Sequence, residues 1–150
     1  MSERFEPQRP GVDYGVLDEL AGYALRRAQI RMTEAFDARL GAEGITTQRF
    51  SALVLIDANP GLKQTELAAI MGIARSGALA IVDALAAQDL IERRPAPGDG
   101  RAQALHLTDH GRSRMPQIVK LVRAHDRDLT EGFSADELAT LRALLERIRT

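Results

Sequence analysis

The chain has 150 residues, 45% of them hydrophobic and 27% charged, which fits one globular domain and excludes a fibrous or disordered chain. It contains no cysteine, and this excludes disulfides, thiolate metal sites and a cysteine redox sensor. The formal net charge is -1, so charge alone does not indicate a nucleic-acid partner. No long apolar run or signal-like leader is present, which predicts neither a membrane span nor secretion, and a cytoplasmic location is expected.

The first third of the chain is predicted to be an arm followed by one long helix. Residues 1–13 contain proline and glycine and are predicted to form a flexible arm, in which Phe5 could anchor to a partner subunit. Apolar residues recur every three or four positions from about residue 14 to residue 40, which predicts a single helix. So long a helix cannot bury its whole apolar stripe on a small domain, and residues 14–41 are therefore expected to pack partly on a second subunit.

Three shorter helices are predicted next. The first spans residues 48–58, with Thr46 or Thr47 as its cap. The second spans 64–71 with Thr65 as its cap, and the third spans 75–88 with an apolar stripe at helical spacing. A three-residue turn that begins with glycine joins the last two, which is the pattern of a helix-turn-helix, whose second helix enters the DNA major groove.

A β-hairpin is predicted directly after this pair of helices. Residues 90–94 and 104–107 alternate apolar with polar residues, as half-buried strands do. Residues 95–101 between them hold two prolines and two glycines, which predicts an extended, exposed tip. A hairpin in this position is a wing.

The remainder of the chain is predicted to be two helices. One begins near Arg112 and runs to about Thr130, with Pro116 in its first turns. Ser134 and Glu137 form a capping-box pattern that opens the other, which carries a leucine stripe. Such a stripe is typical of a subunit contact, so residues 108–150 are predicted to form a two-fold dimer together with the first helix.

Residues 75–111 resemble the core of the MarR family of winged-helix transcription regulators. The residues that carry this resemblance are Leu85, Leu90-Ile91-Glu92-Arg93, Asp99-Gly100-Arg101 and Leu107-Thr108-Asp109-His110-Gly111. The resemblance implies one domain over 1–150, mainly α with a small β-hairpin wing, in which residues 46–107 form the winged helix-turn-helix between flanking dimerisation helices. It also implies a ligand-responsive repressor that binds a pseudo-palindromic operator as a homodimer.

Seven residues are candidates for DNA contact: Arg75, Ser76, Leu79, Ala80, Arg94, Asp99 and Arg101. Arg75 and Ser76 open the recognition helix, where they could reach a base edge or a phosphate, or serve only as helix-end residues. The resemblance places Arg101 in a minor groove, held by Asp99; the alternative is a solvated loop arginine. The family often has threonine, serine and arginine where this chain has residues 77–80, so thymine-methyl contacts from Leu79 or Ala80 are predicted instead.

The resemblance further implies an effector pocket where the first, second and fifth helices meet. Its candidate lining is Tyr23, Arg26, Arg27, Ile30, Phe50, Leu53, Met115 and Val119. The arginines could receive a carboxylate or coenzyme A phosphates, or could pair with Asp18, Glu19 or Glu34. Residues 46–108 are similar to family members that control aromatic-acid breakdown, so the expected effector is a small aromatic acid or an aromatic acyl-CoA.

Other chemistry is not indicated. His106, His110 and His125 do not share one helical face, and a structural or solvated role is predicted rather than a metal site. The sequence lacks catalytic and phosphate-loop motifs, so neither an enzyme nor a cofactor is expected. The alternative function is a winged-helix dimerisation or protein-interaction module without sequence-specific DNA binding. Five cations and five anions between residues 63 and 103 favour that alternative, and the wing arginines favour DNA.

Overall fold

The computed structural model describes residues 5, 6 and 8–148, and the side chains of residues 99–101 lie outside that description. The helices are α1 (Ala21–Leu40), α2 (Thr47–Ala58), α3 (Gln64–Ile70), α4 (Arg75–Ala87), α5 (Asp109–Leu129) and α6 (Ala135–Glu146). The strands are β1 (Leu62–Lys63), β2 (Ile91–Ala96) and β3 (Asp99–Leu107), and short 3-10 turns span Gly15–Glu19 and Gly41–Glu43. The predicted class, mainly α with a small β-hairpin wing, is confirmed.

The core lies between α2, α4 and the sheet. Leu53 of α2, Val82 and Leu85 of α4, and Leu105 of β3 have no exposed surface. The α4 residues belong to the stripe that the sequence predicted, so helical periodicity located the inner face of this helix correctly. Burial of a side chain of this kind stabilises the fold by about 1.5–3 kcal/mol. Together these contacts fix α4 with its opposite face toward solvent.

The prediction of one helix from residue 14 to residue 40 is wrong at its start. Residues Gly15–Glu19 form a 3-10 turn, and Leu20 has extended backbone angles (φ -91°, ψ 118°), so α1 begins at Ala21. Gly15 itself has a φ of 52°, in the left-handed region that does not continue a right-handed helix. The apolar period continues through this break, which is why the pattern alone did not reveal it.

Side-chain contacts hold the 3-10 turn against α1. The rings of Tyr14 and Tyr23 lie 6.3 Å apart between centroids. Arg27 of α1 lies 3.7 Å from the Asp18 carboxylate, and its guanidinium stacks 4.8 Å from the centre of the Tyr23 ring. Part of the positive charge of the first helix is therefore paired within the chain, as one of the two sequence readings of these arginines proposed.

The helix caps explain where α2 and α3 begin. The Thr46 hydroxyl accepts a hydrogen bond from the Arg49 backbone N–H at 3.2 Å, so one of the two predicted caps of α2 is confirmed. The predicted Thr65 cap of α3 is wrong. Because β1 ends at Lys63, α3 begins at once with Gln64, and the Glu66 carboxylate accepts from the Lys63 backbone N–H at 2.9 Å.

The two C-terminal helices also begin at capped residues. Thr108 caps α5 by accepting from the Gly111 N–H at 2.9 Å, so this helix starts three residues before the predicted Arg112. Pro116 consequently lies about two turns into the helix instead of in its first turns. The capping box of α6 is confirmed, since Glu137 accepts from the backbone N–H and the hydroxyl of Ser134. These hydrogen bonds lower the pKa of Glu137.

The sheet is antiparallel, with the strand order β1-β3-β2. Leu62 pairs with Leu105, and Ile91 pairs with Leu107. The sequence did not predict β1, because a strand of two residues is too short to show alternation. Because β1 pairs with the central strand β3 and is followed directly by α3, it fixes the start of α3 beside the sheet.

The wing is a tighter hairpin than the sequence predicted. Strand β2 continues through Pro95 to Ala96, and β3 begins at Asp99, so the predicted extended tip over 95–101 is wrong. Only Pro97 and Gly98 form the turn, in which Gly98 has a φ of 77°. Proline is tolerated in β2 because this is an edge strand, where a missing N–H costs no interior ladder bond.

The ends of the chain leave apolar surface uncovered. No residue of α6 is buried, and its apolar stripe, formed by Leu141, Leu144 and Leu145 and continued by Ile148 just beyond the helix end, is between 41% and 62% exposed. Met32 of α1 is 48% exposed. Among the described helices, no single one is long and apolar enough to cross a membrane; α3 and α4 meet that test only as a pair bent by 114°.

Candidate nucleic-acid interface

The outer face of α4 is the first part of the candidate site. Because Ala78, Val82 and the rest of the buried stripe face the core, the residues between them face solvent. The exposed set contains Arg75, Ser76, Leu79 and Ala80, which are four of the predicted DNA-contact residues. Leu79 is 46% exposed, so a large apolar side chain lies on this outer face.

Two arginines at the base of the wing are held by carboxylates. Arg93 of β2 is hydrogen-bonded to Asp83 of α4. Arg94, a predicted DNA contact, is hydrogen-bonded to Glu92 on its own strand and is 54% exposed. The sequence did not predict that Asp83 and Arg93 form a pair. Their partnership joins a helix to a strand, and local periodicity carries no signal for such a pair.

Arg75 differs from these two arginines. Among the residues that the structure describes, it forms no ion pair, and it is exposed at the first residue of α4. The predicted pair of Asp99 and Arg101 lies outside the described side chains, and only their backbone is placed, at the start of β3. That pair therefore remains a prediction.

The predicted effector residues are divided between the core and the surface. Leu53 and Met115 are buried, with 0% and 7% of their surfaces exposed, and Phe50 and Val119 pack partly buried against the same core. Side chains thus fill much of the predicted junction of α1, α2 and α5. Tyr23 and Arg27 contact one another at the N-terminal end of α1.

An open cleft of about 320 Å³ runs along one face of α1. It is lined by Arg26, Gln29, Ile30, Thr33 and Glu34, at the spacing of a single helical face. Arg26 and Ile30 belong to the predicted effector residues. The backbone N–H of Phe5 donates a hydrogen bond to the Glu34 carboxylate at 3.2 Å, so the N-terminal arm lies beside one end of this cleft.

Side-chain contacts hold α1 against α5. Arg39 of α1 is hydrogen-bonded to Asp128 of α5, and this bond lowers the pKa of the carboxyl group. His125 is buried beside Phe36, with the two rings edge to face and 5.3 Å apart. The structural role predicted for this histidine is consistent with that packing. In the described ranges, no group of three or more His, Asp or Glu side chains is arranged to hold a metal ion.

The fold and the exposed α4 face define a winged helix-turn-helix protein. The model of the MarR family matches residues 43–102, which run from just before α2 to the first part of β3. A Thauera aromatica protein named for the transcriptional regulation of the hcr operon is 35% identical over 128 residues, which cover 85% of this chain and 77% of that protein. The multiple antibiotic resistance protein MarR of Escherichia coli is 30% identical, over 69% of this chain and 73% of that protein.

Solved structures give the same assignment. The transcriptional repressor CouR bound to a 23-mer DNA duplex matches with a TM-score of 0.83 and 41% identity, covering 90% of this chain and 96% of that one. CouR bound to p-coumaroyl-CoA matches with a TM-score of 0.81 and 40% identity, over 90% and 95% of the two chains. The chain belongs to the MarR family and is a DNA-binding transcription regulator. Membership favours this function over the alternative of an interaction module without DNA binding.

Proposed function

We propose that the chain is a cytoplasmic repressor that binds a pseudo-palindromic operator as a homodimer and releases it when an aromatic acid or aromatic acyl-CoA binds. The observation that carries the proposal is the exposed face of α4, in a chain whose fold matches a DNA-bound repressor over 90% of its length. A core-packed helix with an accessible outer face is the geometry that allows insertion into a major groove.

The dimer is proposed to form from residues 14–41 and 108–150, with 46–107 as the reading head and 1–13 as an arm. The α6 stripe is a contiguous apolar surface that a second copy can cover, and α1 adds exposed Leu25 and Met32. In a two-fold assembly the two α4 helices address half-sites about 34 Å apart. The operator is therefore expected to contain two inverted half-sites.

Each head is proposed to read DNA with few hydrogen-bonding side chains. Arg75 and Ser76 reach a base edge or a phosphate, while Arg94, Asp99 and Arg101 act at the wing. Leu79 and Ala80 offer only apolar surface, and the thymine methyl group is the base feature that such surface recognises.

Replacement of thymine by deoxyuridine in the operator tests this apolar readout. Removal of the methyl group at a contacted position is expected to weaken binding about fourfold, because roughly one buried methyl is lost. The Leu79→Ala variant is expected to bind the thymine and deoxyuridine duplexes equally. Fluorescence anisotropy of duplexes substituted one thymine at a time measures the effect, with thymines outside the half-sites as the control. Wild-type protein that tolerates deoxyuridine at every position would contradict the methyl contact.

The effector is proposed to bind beside α1, where Arg26 and Ile30 line the open cleft next to Tyr23 and Arg27. The predicted lining residues Leu53 and Met115 are buried in the core and Phe50 and Val119 are partly buried, and none of the four lines this cleft. An aromatic acyl group suits the apolar part, and a carboxylate or coenzyme A phosphate suits the guanidinium of Arg26. Release follows if the ligand binds more tightly to a dimer whose heads do not match the half-site spacing.

The Arg26→Ala variant tests the position of the effector site. p-Coumaroyl-CoA is expected to release wild-type protein from its operator, and the variant is expected to need about tenfold more ligand, because one charge-assisted hydrogen bond is lost. Arg31→Ala is the matched control: it removes the same charge from the exposed surface of α1, and in the described structure Arg31 does not line the cleft. Equal shifts in the two variants would place the ligand elsewhere, and a ligand that never releases the DNA would remove this effector class.

A further inference from the structure

One acidic side chain lies on the helix that is proposed to enter the major groove. Asp83 is the only carboxylate in α4, and it is four residues, roughly 6 Å along the axis, beyond Leu79. It is exposed on the outer side of the helix. An unpaired carboxylate in this position would approach the DNA phosphates and repel them.

Arg93 neutralises this carboxylate in the free protein. Its guanidinium reaches from β2 to Asp83, with 28% of the Arg93 side chain and 57% of the Asp83 side chain exposed. An ion pair with that exposure contributes at most about 1 kcal/mol to stability, so it is a minor part of the fold energy. The larger consequence of the pair is electrostatic. While Asp83 and Arg93 are paired, their charges offset one another, and the Arg93 guanidinium is not free to bind a phosphate.

We propose that Asp83 determines specificity by withholding Arg93 from the phosphate backbone. This inference rests on the proposed DNA-binding function. Phosphate contacts supply essentially all of the affinity for unrelated DNA, whereas operator binding also uses base and shape contacts. A cation tied to α4 therefore lowers affinity for unrelated DNA proportionally more than affinity for the operator. The near-neutral charge of residues 46–107 then lowers their affinity for unrelated DNA.

The Asp83→Asn variant tests the proposal, because asparagine keeps the volume of the side chain and removes its charge. The two DNA ligands are a mixed-sequence duplex and a duplex selected from a random pool by wild-type protein. The variant is expected to bind the mixed-sequence duplex about fivefold to tenfold more tightly. The slope of log affinity against log salt is expected to steepen by about one per subunit, as one phosphate contact is gained. The ratio of selected to mixed-sequence affinity is expected to fall.

Two further variants separate this role from simple charge or structure. Asp109→Asn makes the same charge change at an exposed carboxylate paired with Arg112, on α5, and it is expected to leave the salt slope unchanged. The Asp83→Asn/Arg93→Gln double variant is expected to lose the gain for the mixed-sequence duplex, because the released cation is gone. Thermal unfolding of each variant establishes that it is folded.

Three results would overturn the inference. Equal effects of Asp83→Asn and Asp109→Asn would mean that only net charge matters. Weaker binding of both duplexes by a folded Asp83→Asn variant would mean that the pair only positions the wing. A double variant that keeps the gain would mean that Arg93 is not the cation released. Failure of the proposed function is distinguishable, because wild-type protein would then select no sequence from the random pool.

Discussion

Gly111→Ala is expected to destabilise the fold by about 3 kcal/mol or more, the largest effect of any single methyl group considered. A Cβ atom at residue 111 would lie 2.0 Å from the carbonyl oxygen of Leu90. Rotation of a side chain cannot relieve this clash, because the Leu90 oxygen is a backbone atom. The same Leu90 oxygen accepts the Thr108 N–H at 3.2 Å, and Thr108 caps α5. Leu90, the residue directly before β2, and the first turn of α5 are therefore in contact at one point where only glycine fits.

Urea denaturation measures this effect, and Gly22→Ala is the matched control. Gly22 lies in α1, and a Cβ atom there meets nothing within 4 Å among the described residues. That substitution is expected to stabilise the protein by roughly 0.5–1 kcal/mol, since alanine is the better helix former. Unfolding of Gly111→Ala at the same urea concentration as the wild type would mean that Gly111 does not pack closely against the Leu90 backbone.

Arg75→Ala is expected to weaken operator binding by about 1–3 kcal/mol, a loss of roughly fivefold to 150-fold. Arg75 is exposed at the first residue of α4, and among described residues it has no carboxylate partner that would have to be given up. Arg93 and Arg94, by contrast, are each paired before DNA arrives. The first turn of a recognition helix is also the part that approaches base edges most closely.

Lys120→Ala is the control for Arg75→Ala, because it removes an exposed cation from α5 instead of α4. Anisotropy titrations with the selected duplex at several salt concentrations give both affinity and salt slope. A base contact by Arg75 lowers the affinity for the selected duplex more than for mixed sequence, whereas a phosphate contact lowers both together. If Arg75→Ala and Lys120→Ala are indistinguishable, α4 does not enter the groove by its N-terminal end.

The sequence predicted those elements whose local pattern matches their tertiary environment. The stripe of α4 is buried where periodicity placed it, and Ser134 and Glu137 form the capping box that their spacing indicated. The exposure of Arg75 and Leu79 follows from the same geometry, because residues of a helix that are not in its buried stripe lie on the face toward solvent. Much of the candidate DNA-binding surface was therefore predictable from one helix.

The features that the sequence did not predict depend on distant contacts or on backbone conformation. Strand β1 exists because Leu62 pairs with Leu105, more than forty residues away. The break at Leu20 is invisible to a pattern that runs through it. The pairing of Asp83 with Arg93 joins two elements, so the sequence showed only a balanced count of charges where the structure shows a specific neutralisation. The filling of the α1–α2–α5 junction by Leu53 and Met115 is likewise a result of packing.

The most direct test of the account is a selection from a random DNA pool with the wild-type protein, followed by sedimentation of the complex with the enriched duplex. The enriched sequence is expected to contain two inverted half-sites whose centres lie about one helical turn apart, bound by two chains. This complex is expected to dissociate when p-coumaroyl-CoA is added. No enriched sequence, or a single half-site bound by one chain, would contradict the proposed dimeric repressor.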